Sequence, residues 1–186
     1  EYVFPPLADD CFRIVSHNVT TLARWVRSSD EFMAAPWYVA LLQETRHAAD
    51  DSFGWVQRRW HNVKAFANVG GRGKNASLVT MVRSPAKGEV IEQVDRAQVV
   101  KVSLGGRSTL IANIYLPPKM PRTADALHVW RRNHPEAAVE VDAAVEVLVR
   151  YARYAEKEKI PFVVGGDFNE DVVRARDTPG SVITDV

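Results

Sequence analysis

Four polar side chains stand where apolar runs of this sequence give out. Cys11-Phe-Arg-Ile-Val-Ser-His17 leads to Asn18, Trp37-Tyr-Val-Ala-Leu-Leu-Gln43 leads to Glu44, and Ile160-Pro-Phe-Val-Val-Gly-Gly leads to Asp167-Phe-Asn169. Carboxylates and amides are oxygen donors, and no set of cysteines or spaced histidines accompanies them. Such donors suit a hard cation, Mg²⁺ or Mn²⁺, rather than zinc. A magnesium ion that keeps most of its waters needs only one or two carboxylates, and an aspartate beside it can take a proton from water. The chemistry implied is phosphoryl transfer.

Delivering these residues to one place requires strands that end at the same edge of a layered α/β fold, where loops leave a sheet and ligands collect. The alternation over Cys11–His17 predicts a strand, and Leu22, Trp25, Val26, Phe32 and Met33 predict helix over 21–35, broken near Pro36. Trp37–Gln43 reads as a buried strand, Ala65–Lys74 as a Gly-rich loop, and Ser77–Val82 as the strand after it. Gln98–Leu104 and Ser108–Tyr115 are strands joined by a Gly105-Gly106 hairpin. Pro135 opens a long helix whose inward face is Val141, Ala144, Val145, Leu148, Tyr151, Ala152 and Ala155, and which stops before Pro161. The two glycines before Asp167 would let the backbone approach a ligand closely. The expected fold class is an α/β layered sandwich of two mixed β-sheets flanked by helices.

At 186 residues, 46% apolar and 25% charged, the chain has the composition of a single soluble domain, residues 1–186. No run approaches the ~18 apolar residues that a membrane-spanning helix needs, so no membrane partner is expected. The N-terminus lacks the basic start and apolar stretch of a signal peptide, and the single Cys11 excludes an internal disulfide. These features lead us to expect an intracellular location, the nucleus included. Net charge is only +1, but Gln57–Arg107 holds ten Lys/Arg, Arg72 and Lys74 among them, against three acids. This stretch is either a surface that a polyanion would notice or a solvated loop-and-hairpin face, and the sequence leaves both open.

Four segments in order carry a resemblance: Phe12-Arg-Ile-Val-Ser-His-Asn18, Ala40-Leu-Leu-Gln-Glu-Thr45, Ile111-Ala-Asn-Ile-Tyr-Leu-Pro117 and Val163-Val-Gly-Gly-Asp-Phe-Asn169. They look like the successive motifs of the endonuclease/exonuclease/phosphatase superfamily, and especially the non-LTR retrotransposon and apurinic endonuclease domains, with a DNase I-like fold. The resemblance implies a Mg²⁺- or Mn²⁺-dependent phosphodiesterase. It implies Glu44 as metal ligand and Asn18 as helping to hold metal or phosphate. Asp167 would orient or deprotonate the attacking water, Asn169 would hydrogen-bond the phosphate, and Tyr115 would contact the scissile phosphate. Arg46 and Arg96 are phosphate-contact candidates, and Arg72 and Lys74 are substrate-binding candidates. His17 and His47 belong to no spaced ligand set and read as structural or surface residues.

Two departures from the family pattern shape the expectations. After Asn18 the chain reads Val19-Thr20-Thr21, where family members commonly place a second amide or carboxylate, and the family's closing Ser-Asp-His motif would lie beyond Val186. The chain opens on Glu1 and reads as a processed product or part of something longer. On this reading it carries the first sheet and only the opening strand of the second, so a C-terminal segment or a second polypeptide completes the sandwich. The expected function is a DNA-nicking endonuclease domain with DNA as its partner. An RNA or small-molecule phosphodiesterase, and a non-catalytic nucleic-acid or protein interaction module, remain as alternatives.

Overall fold

The computed structural model describes residues 12–19, 22, 25, 29–46, 54–68, 77–121 and 123–169. Two four-stranded sheets face each other. The first is built from β1 (Ile14–Asn18), β2 (Val39–Gln43), β4 (Leu78–Arg83) and β3 (Val63–Asn68), in that spatial order. The second runs β5 (Lys87–Val94), β6 (Ala97–Leu104), β7 (Arg107–Tyr115), β8 (Phe162–Asp167). Both are mixed: β1 lies parallel to β2 and β8 parallel to β7, while the remaining pairs are antiparallel. Among the described residues the second sheet therefore holds four strands rather than one opening strand. The Gly105-Gly106 hairpin strands belong to it, with positive φ at both glycines as a tight turn requires.

Burial follows from the apolar pattern. Val39, Leu41, Val82, Val100, Val102 and Ile111 fill the space between the sheets, with Phe12, Ile14 and Phe66 packed around them. On the outer face of the first sheet, Ala40, Leu42, Val79 and Met81 meet Leu22, Trp25 and Trp37. Successive β2 residues face opposite layers, so this strand, apolar without alternation, is buried on both sides. The long helix α4 (Pro135–Glu158) covers the second sheet through Val147, Leu148 and Tyr151 against Val99, Ala112 and Phe162. Its inward face differs from expectation at Val145, which is 46% exposed, and at Ala152, also exposed, whereas Val147 is buried. Val145 lies one residue past Ala144, a 100° step that carries it off the inward stripe.

Three shorter helices complete the described elements. Helix α1 (Asp30–Ala34) is the described end of the helix expected over 21–35, and α2 (Gly54–Arg59) precedes β3. β3 occupies Val63–Asn68, so the expected loop at Ala65–Lys74 begins as a strand, and its glycines lie outside the described residues. Neither α3 (Ala124–Asn133) nor β5 was expected from the sequence. β5 is the outer strand of its sheet, with alternate residues exposed. Among the described residues no helix is long and apolar enough to cross a membrane.

Candidate active site

Parallel pairing fixes which ends of the strands coincide. The register Asn18↔Gln43 puts Asn18 next to Glu44, and Tyr115↔Asp167 aligns those two at the corresponding end of the second sheet. The sheets face each other, so all four residues meet at one pole. The Asn18 amide spans the gap, donating through Nδ2 to Glu44 Oε1 at 2.9 Å and to Asp167 Oδ2 at 2.7 Å. The Tyr115 hydroxyl donates to Glu44 Oε1 at 3.1 Å. The Asn169 backbone N–H donates to Asp167 Oδ1 at 2.8 Å, and its side-chain Nδ2 to the Leu116 carbonyl at 2.6 Å. Both oxygens of Asp167 are thus held by donors.

The backbone turns sharply as it leaves the strands. Glu44, Arg46 and Asn169 all have positive φ, at 54°, 49° and 50°. For side chains other than glycine this region is sparsely populated, and residues kept in it cluster at functional sites. The Glu44 turn is pinned by its neighbours: the Thr45 N–H donates to the Ser77 carbonyl at 3.2 Å, and the Arg46 N–H to Ser77 Oγ at 3.0 Å.

Below the site lies a layer of buried polar residues that the sequence reading passed over. Gln43 Nε2 donates to Asn113 Oδ1 at 2.8 Å and to Ser16 Oγ at 3.2 Å. Asn113 Nδ2 approaches the carbonyls of Leu42 and Val79 at 3.3 and 3.2 Å. Gln43 and Asn113 come from different sheets, so this contact ties the sheets together one residue from Glu44 and two from Tyr115. A signal was present: an amide inside each of two apolar runs, Leu42-Gln43 and Ala112-Asn113-Ile114.

The glycines before Asp167 serve packing between strands. A Cβ on Gly166, whose φ is +148°, would stand 2.0 Å from the Ile114 carbonyl oxygen, and one on Gly165 would stand 2.7 Å from Leu41 Cδ1. They make room for the neighbouring strand and the facing sheet.

Electrostatics at this pole are negative. Glu44 and Asp167 share one amide, and the nearest cation recorded is Arg46, whose Nη2 is 3.7 Å from Glu44 Oε2. Burial pushes the Tyr115 phenol above its ordinary pKa; the Glu44 charge and hydrogen bond add to this, Asp167 adds further, and a bond with Asn169 opposes it. Tyr115 therefore stays a neutral donor at physiological pH. His17 is held below its usual pKa by burial and lies 6.0 Å, centroid to centroid, from the Phe32 ring.

The basic residues divide. Arg96 ion-pairs with Glu140 of α4 at 2.7 Å, with only 11% of its side chain exposed, and its guanidinium lies 5.8 Å from the Tyr115 ring centroid. Arg83 is turned inward, donating to the Ala35 and Met33 carbonyls at 2.7 and 2.6 Å. Arg59 pairs with Asp30 at 3.1 Å. Arg72, Lys74 and His47 lie outside the described residues.

The donor set can be tested against a divalent cation. Among the described residues no three His, Cys, Asp or Glu side chains gather in a way that could hold a metal. Two carboxylates nevertheless converge on the single N–H donor of Asn18, so an electropositive group already occupies the point they bracket. Carboxylate and amide oxygens suit Mg²⁺, which completes its shell with water and substrate oxygens; Asn18 would supply its Oδ1 by turning away the Nδ2 that now lies between the two carboxylates.

Residues 15–180 match the Endonuclease/Exonuclease/phosphatase family. No curated protein sequence matches the chain. Among solved structures, the catalytic domain of human Nocturnin with bound sulfate is 17% identical, with a TM-score of 0.54 over 91% of this chain and 69% of that one. A humanized D. rerio TDP2 is 17% identical, with a TM-score of 0.52 over 90% and 70%. The 3' phosphatase NExo from Neisseria, bound to a product DNA hairpin, is 16% identical, with a TM-score of 0.50 over 86% and 58%. Identities this low show the fold alone, the DNase I-like α/β sandwich. Of these three structures the chain spans between 58% and 70% of the length.

Proposed function

Because the chain belongs to the Endonuclease/Exonuclease/phosphatase family, a family of phosphoesterases, we propose that it is a metal-dependent phosphodiesterase that nicks DNA. The observation that carries this reading is the Asn18 amide held between Glu44 and Asp167 of two different sheets. Glu44, with Asn18, would hold a Mg²⁺, which when bound supplies charge to offset that developing on the phosphate.

The chain's own residues account for the rest. Donors from Asn18 and from the Asn169 backbone hold both oxygens of Asp167, which fixes its orientation for accepting a proton from the attacking water. Tyr115, kept protonated by burial and by Glu44, offers its hydroxyl to a phosphate oxygen. The Asn169 side chain sits on the same rim, anchored to the Leu116 carbonyl. Arg46, beside Glu44, is the exposed cation nearest the incoming phosphate. DNA as substrate is supported by the local basic excess of the sequence and by the fold shared with NExo, whose structure holds a DNA hairpin.

The test is plasmid nicking by the full-length protein with and without Mg²⁺. Glu44→Gln and Asp167→Asn should each lower the rate by at least about a hundredfold, the scale of a lost acid–base or charge contribution, while melting like the parent. Nicking that persists in chelator, or that either variant retains in full, would refute the reading.

A further inference from the structure

Arg96 and Glu140 form an ion pair that is largely withdrawn from solvent and has no part in the chemistry described above. Arg96 Nη2 lies 2.7 Å from Glu140 Oε2, with 11% and 17% of the two side chains exposed. The pair joins two elements, since Arg96 immediately precedes β6 and Glu140 lies in the second turn of α4. Taking two charges out of water is costly, and such a pair is by itself weak evidence for stability. This one is also imperfect, because Arg96 Nε is buried without a hydrogen-bond partner. A buried donor left unpaired calls for a reason other than stability.

The reason lies in what the pair touches. The Arg96 carbonyl accepts the Tyr115 backbone N–H at 3.0 Å, and the guanidinium stands 5.8 Å from the Tyr115 ring centroid, within the range of cation–π attraction. Leu78 of the facing sheet packs against the same ring. Tyr115 is thus held by Leu78 and Arg96, and its hydroxyl, 3.1 Å from Glu44 Oε1, points into the site. A guanidinium sits on a flexible stem, and a carboxylate fixes the direction of its planar head. Without Glu140 the Arg96 charge would be buried short of a partner and would be driven away from the ring toward water.

We propose that Glu140 is a positioning residue, which through Arg96 holds the Tyr115 ring so that its hydroxyl meets the substrate phosphate. This rests on the phosphodiesterase reading and deepens it. The charge of Arg96 is committed to Glu140, and Arg96 acts on the phosphate through Tyr115 instead of touching it.

The experiment is a double-mutant cycle on the full-length protein, read as Mg²⁺-dependent DNA cleavage. Glu140→Gln should lower kcat about tenfold with KM held within about twofold, because misplacing a group that acts in the transition state costs rate rather than binding. Placed on Tyr115→Phe, the same change should cost nothing further, since no hydroxyl remains to be misplaced. Glu140→Asp, which keeps the charge on a shorter stem, should recover part of the loss. If Arg96 bound the phosphate directly, Glu140→Gln would free the guanidinium and lower KM. A lowered KM, losses that multiply across the cycle, or parental kcat in Glu140→Gln would each overturn the proposal. Should Glu140→Gln fail to fold, Glu140→Asp carries the same cycle, with a smaller loss that again vanishes on Tyr115→Phe. NMR of the metal-free protein carrying isotopically labelled tyrosine reads the ring without turnover. The Tyr115 signal, identified by its absence from Tyr115→Phe, should move in Glu140→Gln and move less in Glu140→Asp, and an unmoved signal refutes the positioning. A ring that moves in a protein that cuts nothing refutes the phosphodiesterase reading and upholds the positioning.

Discussion

Gly166→Ala should be among the most damaging single-methyl additions in this fold, and it should act on stability before it acts on substrate. The added Cβ would stand 2.0 Å from the Ile114 carbonyl oxygen and 2.8 Å from that residue's backbone C and N. Backbone atoms cannot swing aside as a side chain can, and Ile114 is the ladder partner of Gly166 in the β7–β8 register. Relieving the clash therefore means parting the strands beside Tyr115 and Asp167. A φ of +148° adds strain for any residue with a Cβ, of about 1–3 kcal/mol. One or two weakened ladder hydrogen bonds add about 1 kcal/mol each. The sum is about 3 kcal/mol, or about 6–12 °C in Tm for a domain of this size. Gly165→Ala is the control, since its Cβ would meet only a terminal methyl of the Leu41 side chain, 2.7 Å away. Overpacking of that kind costs about 1 kcal/mol, or about 2–4 °C. Thermal unfolding followed by circular dichroism separates the two. A Gly166→Ala protein that melts within about 1 °C of the parent, or above Gly165→Ala, would mean that the glycine pair is not there for packing.

Two further perturbations probe the layers around the site. The Tyr115 phenol is held above its ordinary pKa by burial, then by Glu44. The stability it contributes is present below about pH 10, where the unfolded phenol ionises, and is lost as pH rises from there through the folded pKa. Tyr115→Phe should therefore show a shallower alkaline loss in urea midpoints than the parent, and parallel profiles would refute the assignment. In the buried polar layer, Asn113→Leu removes the acceptor 2.8 Å from Gln43 Nε2 and should cost about 1–3 kcal/mol in chemical unfolding. Adding Gln43→Leu should recover part of that loss, because no buried amide is then left seeking a partner. A double variant weaker than the sum of the singles would count against this network.

The strands that carry the site were legible because each is an apolar run that gives out at a polar residue. Asn18, Glu44 and Asp167 all stand at or just past the strand ends so implied. The Gly105-Gly106 turn and the Pro135 helix start were legible for local steric reasons, positive φ and a missing N–H. What the sequence did not disclose is nonlocal. Nothing in Ser84-Pro85-Ala86 says that the chain leaves one sheet at β4 and enters the other at β5, and so the hairpin strands were assigned to the wrong layer. β5 itself, Lys-Gly-Glu-Val-Ile-Glu-Gln-Val, contributes little to the core and lies at a sheet edge, where apolar patterning is weakest. Arg96 shows the same limit for side chains. Its place near a strand start was readable, but its Glu140 partner lies on a helix forty-four positions away.

Neither sheet holds the site alone, which explains why polar groups are kept inside an otherwise apolar sandwich. Asn18 and Glu44 belong to the first sheet, and Tyr115 and Asp167 to the second. The sheets are joined here by Asn18–Asp167, by Tyr115–Glu44 and, one layer down, by Gln43–Asn113. Apolar packing between sheets is strong but carries little directional information, so it could tolerate small slides. A buried amide pair cannot slide without losing its partner, at a cost comparable to several buried methyl groups moved only slightly. The Gln43–Asn113 bond therefore sets the offset between the sheets. That offset is what brings two carboxylates from separate sheets within reach of one amide nitrogen.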